Sequence, residues 1–198
     1  MLSLIVLAIA APAASAYPKL PNPLPPVKHN PADRLASQPI EDFVYDRATH
    51  CKNRNNPGIT KLANWLASHT RGVFWGSYRC EKWGKHSASL HAENRAIDWH
   101  LDAFDKADRK AADKLIRLLL APDRLGNPQA LARRMGVEEL IWDCGYWGIG
   151  MTEFSPYSVC YKPSGRKRKR FDRTAAHQDH IHIGMSKAGA KGRTSFWS

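Results

Sequence analysis

The segment SLHAENRAIDWHL, Ser89 to Leu101, places a histidine and an aspartate seven residues apart and ends in an alternating pattern. Its last residues divide between two faces, with Ala96, Asp98 and His100 on one and Ile97, Trp99 and Leu101 on the other. This alternation is typical of a β-strand that has one face on an apolar core. We therefore predict a strand over 95–101 with Asp98 on its more polar face.

A second segment, HQDHIHIGMS (177–186), gathers three histidines and one aspartate within six positions. His180 and His182 are two residues apart, so a strand would point both side chains to the same side. Asp179 would face the other way on a regular strand, and it would reach the same side only if it precedes the strand. Two distant segments thus carry side chains of the types that bind metals or transfer protons.

The two segments allow two interpretations. A catalytic zinc commonly has three protein ligands and one open position, and His91, Asp98 and His182 fit that arrangement if the chain turns near Asn94. The alternative is that the histidines are packed strand residues in an ordinary core, since a His-x-His pattern also arises by chance. Spacing alone leaves both interpretations open.

The rest of the chain carries helix and strand signals in mixed order. An apolar stripe predicts a helix over 106–121, and helical spacing after a Pro-Gly turn predicts another over 59–69. A third, short helix is expected between Asn127 as its cap and Gly136 as its end. Strands are predicted over 72–79, 95–101, 137–144 and 179–185. This order indicates an α+β fold with a small, mostly antiparallel sheet flanked by helices, and with Trp75, Trp99 and Trp142 in the core.

The 198 residues divide into three expected regions. Residues 1–16 are typical of a secretory signal peptide, with a short apolar run and an A-x-A cleavage pattern, and an uncleaved anchor is the alternative. Residues 17–41 are rich in proline and lack periodicity, which predicts an extended or disordered linker. One domain is expected over 42–198, in a secreted, extracellular or periplasmic protein with no stable membrane span after signal cleavage.

Four cysteines are present, and none of them forms a C-x-x-C pair. An even number in an exported chain predicts two disulfides. The sequence permits three pairings, and we favour Cys51 with Cys80 and Cys144 with Cys160, because each closes a modest loop around one half of the expected site.

The formal net charge is +12, and much of it lies in KPSGRKRKRFDR (162–173). Basic runs favour polyanions such as nucleic acid, anionic lipid or an anionic cell-wall polymer. A single basic run without interleaved aromatics is weak evidence for nucleic acid. A solvated loop that only aids solubility is the simplest alternative.

The segments SYRC, SLHAENRAIDWHL and HQDHIHIGM resemble the superfamily of zinc D-Ala-D-Ala carboxypeptidases, peptidoglycan endopeptidases and the hedgehog signalling domain. Its members show an S-x-H-x-x-G-x-A-x-D segment and a later (D/E)-x-x-H or H-x-H segment. The matching residues here are Ser89, His91, Ala96 and Asp98 in the first, and Asp179, His180 and His182 in the second. The resemblance covers 73–185. It departs from the pattern at Asn94, which replaces the usual glycine but tolerates left-handed backbone angles.

This resemblance implies a hedgehog/DD-peptidase-like fold and a set of site residues. They are His91, Asp98 and His182 for Zn²⁺, then Asp179, His180 and Arg79 for catalysis, with His177 and Ser89 bordering the cleft or supporting the ligands. Asp179 would be the general base, and His180 would relay the proton or stabilise the tetrahedral intermediate. Arg79 would hold a carboxylate or carbonyl of the substrate.

The expected function is a secreted, monomeric zinc peptidase that hydrolyses peptidoglycan stem peptides or their crosslinks. Its partner would be a peptidoglycan peptide or an anionic wall polymer. Several members of the superfamily keep zinc without being established peptidases, so a non-catalytic, zinc-containing wall- or surface-binding module is the alternative. An exported nuclease, favoured by the basic run and the His/Asp cluster, is the third.

Overall fold

The computed structural model describes residues 17–198, so the predicted signal peptide at 1–16 lies outside the described residues. In chain order the strands of the described part are β1 (Val73–Gly76), β2 (Lys82–Gly84), β3 (Ser87–Ala88), β4 (Ala96–His100), β5 (Val137–Trp142), β6 (Gly145–Gly148), β7 (Ser155–Pro156) and β8 (His180–Met185). Six of them form one antiparallel sheet in the order β1-β4-β8-β5-β6-β7, and β2 and β3 form a separate hairpin. The predicted α+β class with a mostly antiparallel sheet is confirmed.

The α-helices of residues 17–198 are α1 (Pro57–His69), α2 (Lys106–Leu120), α3 (Ala130–Met135) and α4 (Lys187–Ala190), with short 3-10 helices at Pro31–Leu35 and Leu90–Glu93. Asp105 caps α2 by accepting two backbone N–H hydrogen bonds. The predicted cap of α3 is wrong, because the Asn127 side chain bonds Asp123 and Gln129 precedes the helix instead. Gly136 ends α3 in the left-handed conformation, as predicted.

None of the helices in this described part is long and apolar enough to cross a membrane.

The core lies between the helices and one face of the sheet. Its central strand residues are Ile97, Trp99, Leu140, Trp142, Ile181 and Ile183, and the helices contribute Leu62, Leu66, Leu115, Ile116, Leu119, Leu131 and Met135. The predicted division of β4 into an apolar and a more polar face is therefore confirmed. Trp75 was expected in the core, but its side chain is 51% exposed. Its strand β1 is the edge of the sheet, and its ring stacks on His100.

The proline-rich segment 17–41 lies against the core rather than apart from it. Ala32 is fully buried, and Leu35 and Ile40 pack on the main core cluster. The buried Arg134 guanidinium donates to the carbonyl oxygens of Gln38 and Pro39, each at 3.2 Å. A buried cation needs acceptors, and an irregular backbone offers carbonyls that no sheet or helix uses. This requirement explains why a segment without periodicity is ordered.

The two predicted disulfides are confirmed, with Cys51 bonded to Cys80 and Cys144 bonded to Cys160. The first ties the chain before α1 to the turn between β1 and β2. The second ties the β5–β6 turn to the long loop that follows β7. Both lie in segments that approach the polar face of the sheet, so each constrains one side of the site described next.

Candidate metal centre

Strand pairing brings the two histidine-bearing segments together. In the antiparallel pair of β4 and β8, Asp98 lies opposite His182 and His100 lies opposite His180. Opposite residues of an antiparallel pair point to the same side of the sheet. Asp98, His180 and His182 therefore share the face that is turned away from the helices.

His91 reaches this face because the chain reverses just before β4. Ser89 caps the 3-10 helix Leu90–Glu93 by accepting a hydrogen bond from the His91 backbone N–H. Asn94 ends that helix with φ 53° and ψ 45°, the left-handed conformation that asparagine tolerates better than most residues. The tight turn places the His91 imidazole above Asp98, as the sequence predicted.

Three ligand-type atoms converge at this point. His91 Nε2 lies 3.0 Å from Asp98 Oδ1 and 3.0 Å from His182 Nδ1, and His182 Nδ1 lies 3.4 Å from Asp98 Oδ1. All three side chains are buried. The group could hold a metal ion, with one ligand atom from each residue.

The outer nitrogen of each imidazole is already engaged. His91 Nδ1 lies 2.8 Å from the carbonyl oxygen of Ser77, and His182 Nε2 lies 3.0 Å from Glu139 Oε1. In a neutral imidazole, such an oxygen acceptor holds the proton on the outer nitrogen and leaves the lone pair of the inner nitrogen directed at the centre. The arrangement of donors therefore fits a cation held between His91 and His182.

The electrostatics of the metal-free centre point the same way. Burial opposes ionisation of Asp98, but hydrogen bonds with His182 and His91 outweigh it and hold the pKa of this carboxyl well below its usual value. Burial also lowers the pKa of His91. Burial also favours a lower pKa for His182, but hydrogen bonds to Asp98 and Glu139 outweigh burial and raise the pKa of His182 to about 9. Two carboxylates thus hold one positive charge at the centre.

His180 and Asp179 form a pair beside the three converging residues. His180 Nδ1 lies 2.8 Å from Asp179 Oδ1, and His180 Nε2 lies 3.4 Å from Asp98 Oδ1. The Asp179 carboxylate also accepts a hydrogen bond from Thr174. Asp179 precedes β8, as its predicted role required, but its carboxylate contacts the outer nitrogen of His180. The imidazole is the group that faces the centre.

The remaining predicted site residues surround the same place. Arg79 Nη1 lies 3.1 Å from Asp98 Oδ2, and the arginine side chain is 53% exposed at the mouth of the cleft. The buried His177 ring lies 4.7 Å from that of His180, and burial holds its pKa well below the usual value. Ser89 acts on His91 through the cap described above. The structure therefore brings together every residue that the sequence assigned to the site.

Sequence reasoning missed Glu139, the acceptor for His182. It lies on β5, next to β8 in the sheet, and its other oxygen accepts a hydrogen bond from Tyr45. The nearby histidine lowers the pKa of Glu139 in spite of burial, so the carboxylate stays charged. The signal in the sequence was a pair of adjacent glutamates, Glu138 and Glu139, inside the otherwise apolar strand VEELIW.

An open cleft of about 710 Å³ leads to the three converging residues. One wall is the hairpin β2–β3 with Arg79, Glu81 and Trp83, and the other is the loop after β7, with Tyr157, Thr174 and His177. This loop contains the basic run 162–173. Of this run, Asp172 is the residue that lines the cleft, so the basic side chains lie outside the lining that an entering ligand meets.

Comparisons of the chain with protein-family models, with curated proteins and with solved structures gave no match. The assignment of function therefore depends on the geometry and chemistry of the centre itself.

Proposed function

We propose that this protein is an exported zinc peptidase with a hedgehog/DD-peptidase-like fold, acting on peptidoglycan stem peptides or their crosslinks. The observation that carries the proposal is the buried centre of His91, Asp98 and His182. Ligand atoms at about 2.0–2.1 Å from a tetrahedral zinc are separated from one another by about 3.3 Å. The three separations at this centre are 3.0, 3.0 and 3.4 Å. Two imidazoles and one carboxylate are also a frequent ligand set of catalytic zinc.

Zinc at this centre would supply a Lewis acid and lower the pKa of a water in its open position to about 7. His180 Nε2, which lies 3.4 Å from Asp98 Oδ1, would accept a proton at this centre. Asp179 holds the opposite nitrogen, so it fixes the tautomer of His180 and stabilises the imidazolium that forms. We therefore assign His180 as the base and Asp179 as the residue that positions it, where the resemblance implied Asp179 as the base.

Arg79 supplies a cation at the mouth of the cleft. Its guanidinium contacts Asp98 and Glu81, yet half of the side chain is exposed. A substrate carboxylate or a carbonyl that develops negative charge would find hydrogen-bond donors there. The positive loop 162–173 on the other side favours a substrate embedded in anionic polymers. The two disulfides support export to an oxidising compartment.

The metal is tested by measuring zinc in the purified full chain and in variants. We expect about one zinc per chain. We expect His182→Ala to lower zinc affinity by roughly 10²–10³-fold, because one ligand contributes about that part of the total free energy of zinc binding. His100→Ala is the matched control, because His100 lies on the same face but bonds the Asp179 carbonyl at 2.7 Å. An unchanged zinc affinity in His182→Ala would exclude this centre.

Catalysis is tested by release of peptide ends from purified sacculi. His180→Ala and Asp179→Asn should keep zinc and each lose roughly 10²–10⁴-fold in cleavage rate, the usual contribution of general-base catalysis. Because Asp179 acts through His180, the double variant should lose no more than His180→Ala alone. If the zinc-loaded wild type cleaves no stem peptide or crosslink, the non-catalytic wall-binding module replaces the peptidase. Digestion of plasmid DNA would favour the nuclease.

A further inference from the structure

A second cavity adjoins the metal cleft. It measures about 650 Å³ and is lined by the hairpin β2–β3, by the segment before α1 and by β6, with Tyr45, Arg47, Trp83, His86, Tyr146 and Ile149 among its residues. Trp83 lines both this cavity and the metal cleft. Glu139, which lines the cleft and supports His182, is contacted by Tyr45 from the cavity side. The two spaces are therefore neighbours that one extended ligand can occupy together.

The exposure of Trp83 is unusual. Its side chain is 68% exposed, the highest value among the large apolar residues within 17–198. Aromatic side chains gain most from burial, so an indole held in water on a short hairpin favours contact with a ligand. Because Trp83 stands at the boundary between the two spaces, a ligand that covers it would also extend toward the metal centre.

The lining of this second cavity combines flat apolar surfaces with hydrogen-bond donors. Trp83, Tyr45 and Tyr146 provide aromatic rings, while Arg47 and His86 are exposed and polar. A pyranose ring has the complementary chemistry, since its C–H face packs on aromatic rings and its hydroxyl and acetamido oxygens accept hydrogen bonds. A peptide strand would need a row of backbone partners instead.

We propose that this cavity is a carbohydrate subsite that binds an N-acetylated amino sugar of the glycan strand while the attached peptide lies over the metal centre. The inference rests on the proposed function, because the stem peptides of peptidoglycan are joined to such sugars. Trp83 lines both spaces and His180 lines the cleft, so a sugar on Trp83 and a scissile bond near His180 can belong to one substrate. The subsite thus selects glycan-linked peptides over free ones.

Binding can be measured without metal or catalysis. The N-acetylglucosamine trimer is titrated into the metal-free full chain, and tryptophan fluorescence and amide NMR shifts are recorded. We expect saturable binding that Trp83→Ala weakens by about tenfold or more, while Trp83→Phe retains most of it, as expected for loss of an aromatic contact. Phe104→Ala is the matched control, because Phe104 is 54% exposed and packs under Arg173 instead.

A second measurement separates this inference from the proposed function. Zinc-loaded protein is given the same crosslinked peptide with and without its disaccharide, and the two values of kcat/KM are compared. The subsite predicts a preference of about tenfold for the glycan-linked form, which Trp83→Ala removes. If the trimer binds but no substrate is cleaved, the subsite is supported and the proposed peptidase activity is refuted. Absence of trimer binding, or an equal loss on both substrates in Trp83→Ala, would overturn the subsite.

Discussion

Two buried polar clusters flank the turn at Asn94, and they differ in how their charges are balanced. In the first, Arg95 lies between two buried carboxylates, 3.0 Å from Glu93 and 3.0 Å from Glu138. In the second, Asp98 and Glu139 both contact His182. Each cluster thus contains two carboxylates. A buried guanidinium lies between them in the first, while a titratable imidazole does so in the second, where the half-exposed Arg79 contacts Asp98 alone.

The difference separates a structural cluster from a binding centre. The Arg95 guanidinium also donates to the backbone carbonyl of Met185 at 2.6 Å, so it joins the turn to β8. Burial raises the pKa of Glu138 to about 7, so the guanidinium and a proton partly bound to Glu138 balance the two carboxylates near neutral pH. In the second cluster the neutralising proton sits on His182, where a metal ion can take its place. Protein groups complete the first cluster, while a metal ion could complete the second.

The largest effect is expected when the Arg95 cluster loses its cation. Arg95→Met leaves Glu93 and Glu138 buried without their cation, which should lower the free energy of unfolding by about 3–5 kcal/mol. Chemical denaturation measures the change. Arg71→Met is the matched control, because Arg71 pairs with Asp108 on the surface, where its side chain is 57% exposed, and it should cost less than about 1 kcal/mol. Equal losses in the two variants would mean that burial adds nothing to the Arg95 cluster.

The raised pKa of Glu138 makes the free energy of unfolding depend on pH, and the direction of that dependence follows from the shift. The folded state raises its pKa from 4.5 to about 7, so folded chains hold a proton that unfolded chains release. This contribution is complete below pH 4.5 and is lost as the pH rises toward 7, by up to about 3 kcal/mol. Glu138→Gln cannot titrate, so the wild type should lose stability relative to this variant over that range. Denaturation in chelator at several pH values measures the difference, and parallel profiles would show that Glu138 stays ionised.

A smaller effect, on metal affinity, is expected when Glu139 loses its charge. Glu139→Gln keeps an oxygen for His182 Nε2 but removes the charge that supports the imidazole, so metal affinity should fall by about 10–100-fold. Glu138→Gln is the matched control, because it changes the adjacent residue of β5, which contacts Arg95 instead of His182, and it should change affinity by less than about twofold. Competition with a zinc indicator measures both. Similar losses in the two variants would contradict the separation of the clusters.

Local pattern was enough to predict the centre of the site. Alternation over β4 assigned Asp98 to the polar face, and the two-residue spacing of His180 and His182 placed both on one side. Asn94 was recognised as a residue that can adopt the left-handed turn, and that turn brings His91 above Asp98. Each of these statements depends on residues that are close in sequence, which is where propensity and periodicity act.

The supporting residues depend on which elements become neighbours, and periodicity does not give that. Glu138 and Glu139 are adjacent in β5, and only the pairing of β5 with β8 sends one to Arg95 and the other to His182. Tyr45 joins Glu139 from a sequence distance of 94 residues. The ordered conformation of the proline-rich segment likewise involves a distant residue, Arg134, whose buried guanidinium donates to the carbonyl oxygens of Gln38 and Pro39.

His91 and His182 present different nitrogens to the centre, Nε2 from the first and Nδ1 from the second. The Nδ1 atom is one bond nearer the main chain, so a metal ion held at the centre would lie nearer the backbone of β8 than that of the 3-10 helix. His182 thus reaches the centre over a shorter distance than His91 does, and it stands on β8, an inner strand of the sheet. The position of His91 therefore depends on the turn at Asn94, while that of His182 depends on the pairing of β8 in the sheet, so a change in the turn would move one ligand and leave the other in place.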